Sequence, residues 1–124
     1  MIKIIKLKKS FGEKKVLDGV DLEIEAGKIT VIIGRSGEGK SVLLKHIIGL
    51  LRPDEGSIEL DGQEITSMKE KDFNEVRKRF GMLFQGAALF DSLTVAGNVG
   101  FPLKEHTDLN DDDILKVVTE KLNR

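Results

Sequence analysis

A length of 124 residues suits one domain or a piece of a larger one, and 40% hydrophobic with 33% charged residues excludes an intrinsically disordered chain. The net charge of -1 lacks the basic excess of a dedicated nucleic-acid binder, so no nucleic-acid partner is expected. There is no cysteine, which excludes disulfides and thiolate metal sites, and no apolar run approaches the roughly 20 residues that span a bilayer. The N-terminal MIKIIKLKK alternates apolar residues with lysine and never builds the apolar core of a signal peptide. A soluble chain is expected, with any membrane role coming through a partner.

Ile2, Ile4 and Leu7 among lysines read as a half-buried strand, and Phe11 to Lys15 as a turn. A short strand follows around Val16 to Val20. Val20, Leu22 and Ile24 then alternate with Asp21, Glu23 and Glu25, a period-two strand. After Ala26-Gly27, the β-branched run Ile29 to Ile33 predicts a strand buried on both faces. Lys40 to Gly49 predicts a helix with Val42, Leu43, Leu44, Ile47 and Ile48 on its apolar side.

Beyond the loop Arg52 to Gly56, Ser57 to Leu60 and Gln63 to Ile65 flank Asp61-Gly62, a hairpin signal. Asp72 to Arg79 reads as helix and Phe80 to Phe84 as a short apolar strand. Thr94 to Val99 predicts a short helix. Asp108 to Asp113 supplies caps and negative charge for a helix over Ile114 to Leu122. Strands first and strand–helix units later give the α/β class with an antiparallel edge. The lysines of the first fifteen residues, the terminal aspartates and Arg77-Lys78-Arg79 are read as solvated surface. His106 follows no metal spacing and is expected to be exposed.

One stretch carries chemistry. Gly34-Arg35-Ser36-Gly37-Glu38-Gly39-Lys40-Ser41 fits G-x-x-x-x-G-K-[ST] at every fixed position, between an apolar run and a helix. Glycines there let successive backbone N–H groups point inward as a nest for phosphate oxygens, and the helix that follows aims its positive end at the same place. Lys40 is the residue to reach β- and γ-phosphates, and the Ser41 hydroxyl is a candidate Mg²⁺ ligand.

With that motif in place, the chain resembles the ATP-binding subunits of ABC transporters over essentially its whole length. The resemblance rests on FGEKKVLDGVDLEIEAGKITVIIG, the glycine-rich motif, PDEGSIELDGQEI and MLFQ. It implies a P-loop NTPase core with an antiparallel β subdomain, reaching to about residue 86, and the start of a helical subdomain over about 87–124. It implies ATP and Mg²⁺ as ligands, with Phe11 stacking on adenine, where tyrosine is commoner, and Val16 beside the base and ribose. Gln85 is implied as the residue that helps coordinate Mg²⁺ and the attacking water. The segment after Gln85 is implied to meet a transmembrane permease. The complete protein would pair its nucleotide-binding domains as a homodimer on the inner face of the inner membrane. VRKRFGMLFQGAALFDSLTVAGNVGFPLKEHTDL looks like the subgroup serving Mla-type phospholipid transporters.

The family's Asp-Glu at the end of a second apolar strand, its LSGG-type signature and its switch histidine are not found in these residues. Ala87 to Asp91 imitates the first of these, but Ser92 follows where glutamate should stand. The sequence is therefore expected to be the N-terminal half of a nucleotide-binding domain that binds ATP without turnover. The run Ile29–Ile33 is expected to be left with an unpaired apolar edge. Two alternatives are an importer ATPase for another substrate and a truncated product without independent function. A small kinase or GTPase would need its own acceptor site or an N-K-x-D motif, and the latter is absent.

Overall fold

The computed structural model describes all 124 residues. They form two compact units, Met1–Gly81 and Met82–Arg124. The first unit contains β1 (Ile2–Phe11), β2 (Lys14–Ile24), α1 (Lys40–Ile47), β3 (Glu55–Leu60), β4 (Gln63–Glu64) and α2 (Glu70–Arg77). The second contains α3 (Val95–His106) and α4 (Asp111–Leu122).

The four strands form one antiparallel sheet in the order β2-β1-β3-β4. Alternation explains β2, where Val20, Leu22 and Ile24 pack on the core while Asp21 and Glu23 stay exposed. The two short strands expected over Val16 to Ile24 run on as one strand, although its register with β1 slips at Gly19, where φ is 76°, and again at Val16. In β1 the phase shifts: Ile4 and Leu7 are both buried, three residues apart, across an irregularity at Ile5 and Lys6. Lys6 takes a left-handed φ of 48°, and its N–H donates to Asp21 Oδ1 at 2.9 Å. This bulge turns Leu7 inward where strict alternation would have turned Lys6.

Leu43 and Ile47 of α1, with Phe73 and Val76 of α2, join Ile4, Leu7, Leu17, Ile58, Leu60 and Ile65 in the core. Positions i, i+3 and i+4 of α1 are Leu43, His46 and Ile47, and all three are buried. His46 is reconciled with that stripe by Nδ1–H donating to the Val42 carbonyl at 2.7 Å, while Nε2 stays buried without a partner. The expected hairpin at Asp61-Gly62 is present, with Leu60 opposite Gln63.

Two expected strands are not formed. Ile29 to Ile33 has no strand pairing, and Ile29, Val31 and Ile33 are 94%, 74% and 90% exposed, only Ile32 packing against the core. A strand buried on both faces needs a ladder on each side, and no other segment of these residues pairs with it. Phe80 to Phe84 is likewise irregular. The basic stretch is not simply a solvated face either. Arg77 donates from Nε and Nη2 to the carbonyls of Ile48 and Gly49 at the end of α1, and Arg79 pairs with Asp61.

In the second unit, α4 lays Ile114 and Val118 against Gly100 of α3. Thr94 caps α3 through Gly97 N–H, and Asn110 caps α4 through Asp113 N–H, with Asp111, Asp112 and Asp113 in the first turn. Helix α3 runs longer than the Thr94–Val99 expected, continuing through Pro102 to His106, which is exposed. Asn98 folds its amide onto the preceding loop: Oδ1 accepts Phe90 N–H at 2.8 Å, and Nδ2 reaches the carbonyls of Phe90, Leu93 and Thr94 at 3.1, 3.3 and 3.0 Å. Phe90 in turn stacks on Phe101 with ring centroids 4.7 Å apart. No helix is long and apolar enough to cross a membrane.

Candidate functional site

The glycine-rich loop hands directly over to α1, whose first residue is Lys40. Gly39 stands at the N-cap with φ 91°, and no side chain caps the helix. The orphan N–H groups of the first turn therefore face whatever sits in the loop. A Cβ on Gly39 would lie 3.0 Å from both Val16 Cγ1 and the Val16 carbonyl oxygen, and 3.2 Å from Leu17 Cδ2. The loop thus crosses β2 so closely that only glycine fits, and this crossing brings Val16 to the mouth of the motif.

Inside the loop the polar groups satisfy one another. Lys40 Nζ donates to the carbonyls of Gly34 and Arg35 at 2.6 and 2.5 Å. The Glu38 carboxylate accepts the Arg35 N–H at 2.6 Å, and the Glu38 N–H leans on the Arg35 carbonyl at 3.4 Å. Ser36, Gly37 and Ser41 are exposed, and a Cβ on Gly37 would meet nothing within 4 Å. What results is a backbone turn at an uncapped helix N-terminus with the Lys40 ammonium folded onto two of its carbonyls, and free N–H groups beside an ammonium are the chemistry that attracts phosphate.

Phe11 closes the β1–β2 hairpin opposite Lys14, just before Val16 on the returning strand, with its ring 47% exposed. Lys9 Nζ lies 5.6 Å from its ring centroid. Gln85 belongs to the second unit, exposed in a turn with Gly86. Ala87 and Ala88 follow with φ of 64° and 54°, an uncommon conformation for residues with a Cβ. Ala87 to Asp91 forms no strand. No cluster of three or more His, Asp or Glu side chains is arranged to hold a metal ion. Sequence reasoning missed the Glu38 contact and the Lys9 contact to Phe11. Neither leaves a periodic signal; only the acidic residue inside the motif could have pointed to the first.

The model of the ABC transporter family matches residues 17–124. The chain belongs to the ABC transporter family. Its fold is that of ATP-binding cassettes. MJ0796 in a dimeric post-hydrolysis state bound to ADP and Pi superimposes with a TM-score of 0.88 at 29% identity, covering 99% of this chain and 56% of that one. The cbiO1 cassette of Clostridium perfringens, part of the ABC transporter complex cbiONQ, gives 0.82 at 30% identity, covering 98% and 49%. Among relatives in sequence, the probable ribonucleotide transport ATP-binding protein mkl of Mycobacterium leprae is 47% identical over 98% of this chain and 35% of its own length. The intermembrane phospholipid transport system ATP-binding protein MlaF of Haemophilus influenzae is 46% identical over 90% of this chain and 42% of its own. The methionine import ATP-binding protein MetN of Mesorhizobium japonicum is 42% identical over 84% and 28%. The chain thus spans less than half the length of these three relatives.

Proposed function

We propose that the chain binds ATP with Mg²⁺ as the nucleotide-holding part of an ABC transporter ATPase that energises lipid or phospholipid transport. The observation that carries this reading is the uncapped N-terminus of α1, opening onto a loop whose lysine is folded over its mouth. Loop N–H groups and Lys40 would take the phosphates, Phe11 would stack on the base, and Val16 would line the ribose side. Ser41, exposed on the first turn of α1, and Gln85 would be the Mg²⁺-side residues. A single hydroxyl such as that of Ser41 suits Mg²⁺, which keeps several waters and leans on substrate phosphates rather than on a carboxylate cage. When bound, Mg²⁺ would neutralise charge on the phosphate oxygens.

In this reading the antiparallel β and P-loop core reaches to about residue 86, with a helical subdomain beginning after it. A transmembrane permease would contact the segment after Gln85, and a second nucleotide-binding domain would pair with this one at the inner face of the inner membrane. The lipid assignment leans on the similarity to MlaF. The similarity to MetN favours a second reading, an importer ATPase for another substrate. Turnover by these residues alone is not expected, since no Asp-Glu strand end or LSGG motif is among them.

The thermal midpoint of the purified chain, with and without Mg²⁺-ATP, tests nucleotide binding. A ligand held only by the folded state adds about 2.7 kcal/mol at a hundredfold excess over Kd, which for this size is a rise of roughly 10 °C. Lys40→Ala should abolish the rise while leaving the unliganded midpoint nearly unchanged. A rise of equal size in the variant, or none in the parent, would sink the assignment.

A further inference from the structure

Phe11 sits at a strand end that β2 pairs on one edge only. The β1–β3 ladder ends at Lys8 opposite Glu55, so beyond it β1 has no strand neighbour on that side. Asp54, on the loop that leaves α1, takes the place of the missing strand. Its N–H donates to the Lys8 carbonyl at 2.9 Å, its Oδ2 accepts the Ser10 N–H at 2.7 Å, and its Oδ1 accepts Lys9 Nζ at 2.9 Å. One side chain thereby continues the pairing of β1 to the residue before Phe11 and fixes the ammonium that lies near the Phe11 ring. The Lys9 side chain is only 17% exposed, which marks it as a fixed part of this corner. The Asp54 carboxyl is held below its ordinary 3.8, first by the Ser10 N–H and then by Lys9, in keeping with these contacts.

We propose that Asp54, acting through Ser10 and Lys9, is a positioning residue that sets the Phe11 ring to receive the base of a bound nucleotide. The proposal rests on the reading of Phe11 as the base platform. A ring on a strand end held along one edge only keeps freedom that must be lost at each binding event, and that ordering is subtracted from affinity. The clamp orders it beforehand.

The test is the affinity of the full chain for Mg²⁺-ATP and for Mg²⁺-tripolyphosphate, which has phosphates but no base. Asp54→Asn, Lys9→Met, Phe11→Ala and the double variant Asp54→Asn/Phe11→Ala are compared with the parent. Asp54→Asn should weaken ATP about threefold to tenfold and leave tripolyphosphate within about twofold, as Phe11→Ala should. The double variant should be no worse than Phe11→Ala, because the clamp has nothing left to position. If Phe11→Ala discriminates and both clamp variants leave the ATP preference intact, the positioning role is overturned while the platform reading stands. If Phe11→Ala changes neither ligand, the platform reading falls and the proposal with it. Equal weakening of both ligands by Asp54→Asn would show a role in the fold alone. Lys9→Met keeps the test open should Asp54→Asn fail to fold.

Discussion

The carboxylate of Glu38 accepts the backbone N–H of Arg35 at 2.6 Å, within the loop that Lys40 closes with its own contacts to Gly34 and Arg35. An anion of the protein therefore occupies a loop N–H that, on the proposed reading, would face phosphate. A bound triphosphate has to displace it, and the two negative charges repel at close range. Glu38→Gln should tighten Mg²⁺-ATP binding roughly fivefold, about 1 kcal/mol, and tripolyphosphate by a similar factor. Equilibrium titration would show it; unchanged affinity would mean that the carboxylate swings clear at no cost.

Gly56 carries a second constraint. Its φ is 89°, and a Cβ there would lie 2.5 Å from the carbonyl oxygens of both Ile5 and Lys6. Those are backbone atoms of the β1 bulge, which cannot yield as a flexible side chain would. Gly56→Ala should cost about 3 kcal/mol, from the left-handed backbone and the overlap together. A thermal midpoint within a degree or two of the parent would contradict the placement of β3 against the bulge.

Arg77 spans two helices. Its guanidinium binds the carbonyls just past the end of α1, at 2.9 Å from Gly49 and 3.2 Å from Ile48, and lies 4.9 Å from the Phe73 ring centroid. Removing it in Arg77→Ala should cost about 2 kcal/mol. Arg77→Lys should recover little, since an ammonium cannot reach two carbonyls in one plane and lie against the ring. Chemical denaturation of the three proteins would rank them.

Acid should destabilise the first unit in a defined window. Asp21 is held below 3.8 by hydrogen bonds from Lys6, Asp61 by the N-terminal ammonium and Arg79, Asp54 by Ser10 and Lys9, and Glu70 below 4.5 by Arg77. Folded values below unfolded ones mean stabilisation that is fully present above about pH 5 and is lost as pH falls through the depressed values. The thermal midpoint should be level from about pH 5.5 to 7 and fall steeply below about pH 4. In Asp61→Asn the acid limb should be shallower; a midpoint that declines already between pH 7 and 6 would assign the loss to other groups.

The glycine-rich turn, the helix after it and the antiparallel hairpin could be read from residue order, because each depends on contacts within a few positions. Gly37 and Gly39 announce backbone that other residues avoid, and Asp61-Gly62 announces a turn. The run Ile29 to Ile33 shows the opposite case: its β-branched residues state a preference, but a strand exists only where another strand accepts its hydrogen bonds, and none here does. The bulge at Lys6 was hidden because a one-residue phase slip looks like ordinary apolar spacing. Asp54 looked like a loop carboxylate and Arg77 like a surface cation. Both act across long sequence separations, on Ser10 and on Ile48, and no local pattern encodes that.

Asn98 shows how one atom exchange could undo a loop. Its amide gives Nδ2–H to carbonyls of the 90–94 segment and takes the Phe90 N–H on the other side, which requires a group that both donates and accepts. Deamidation would turn it into a carboxylate, which accepts only, and set negative charge beside three carbonyl oxygens. The Phe90 N–H would still find an acceptor, but the donations to the Phe90, Leu93 and Thr94 carbonyls would be lost. The order of this loop thus hangs on a single side-chain amide, and a gain of one mass unit in the peptide containing Asn98 would accompany its loss.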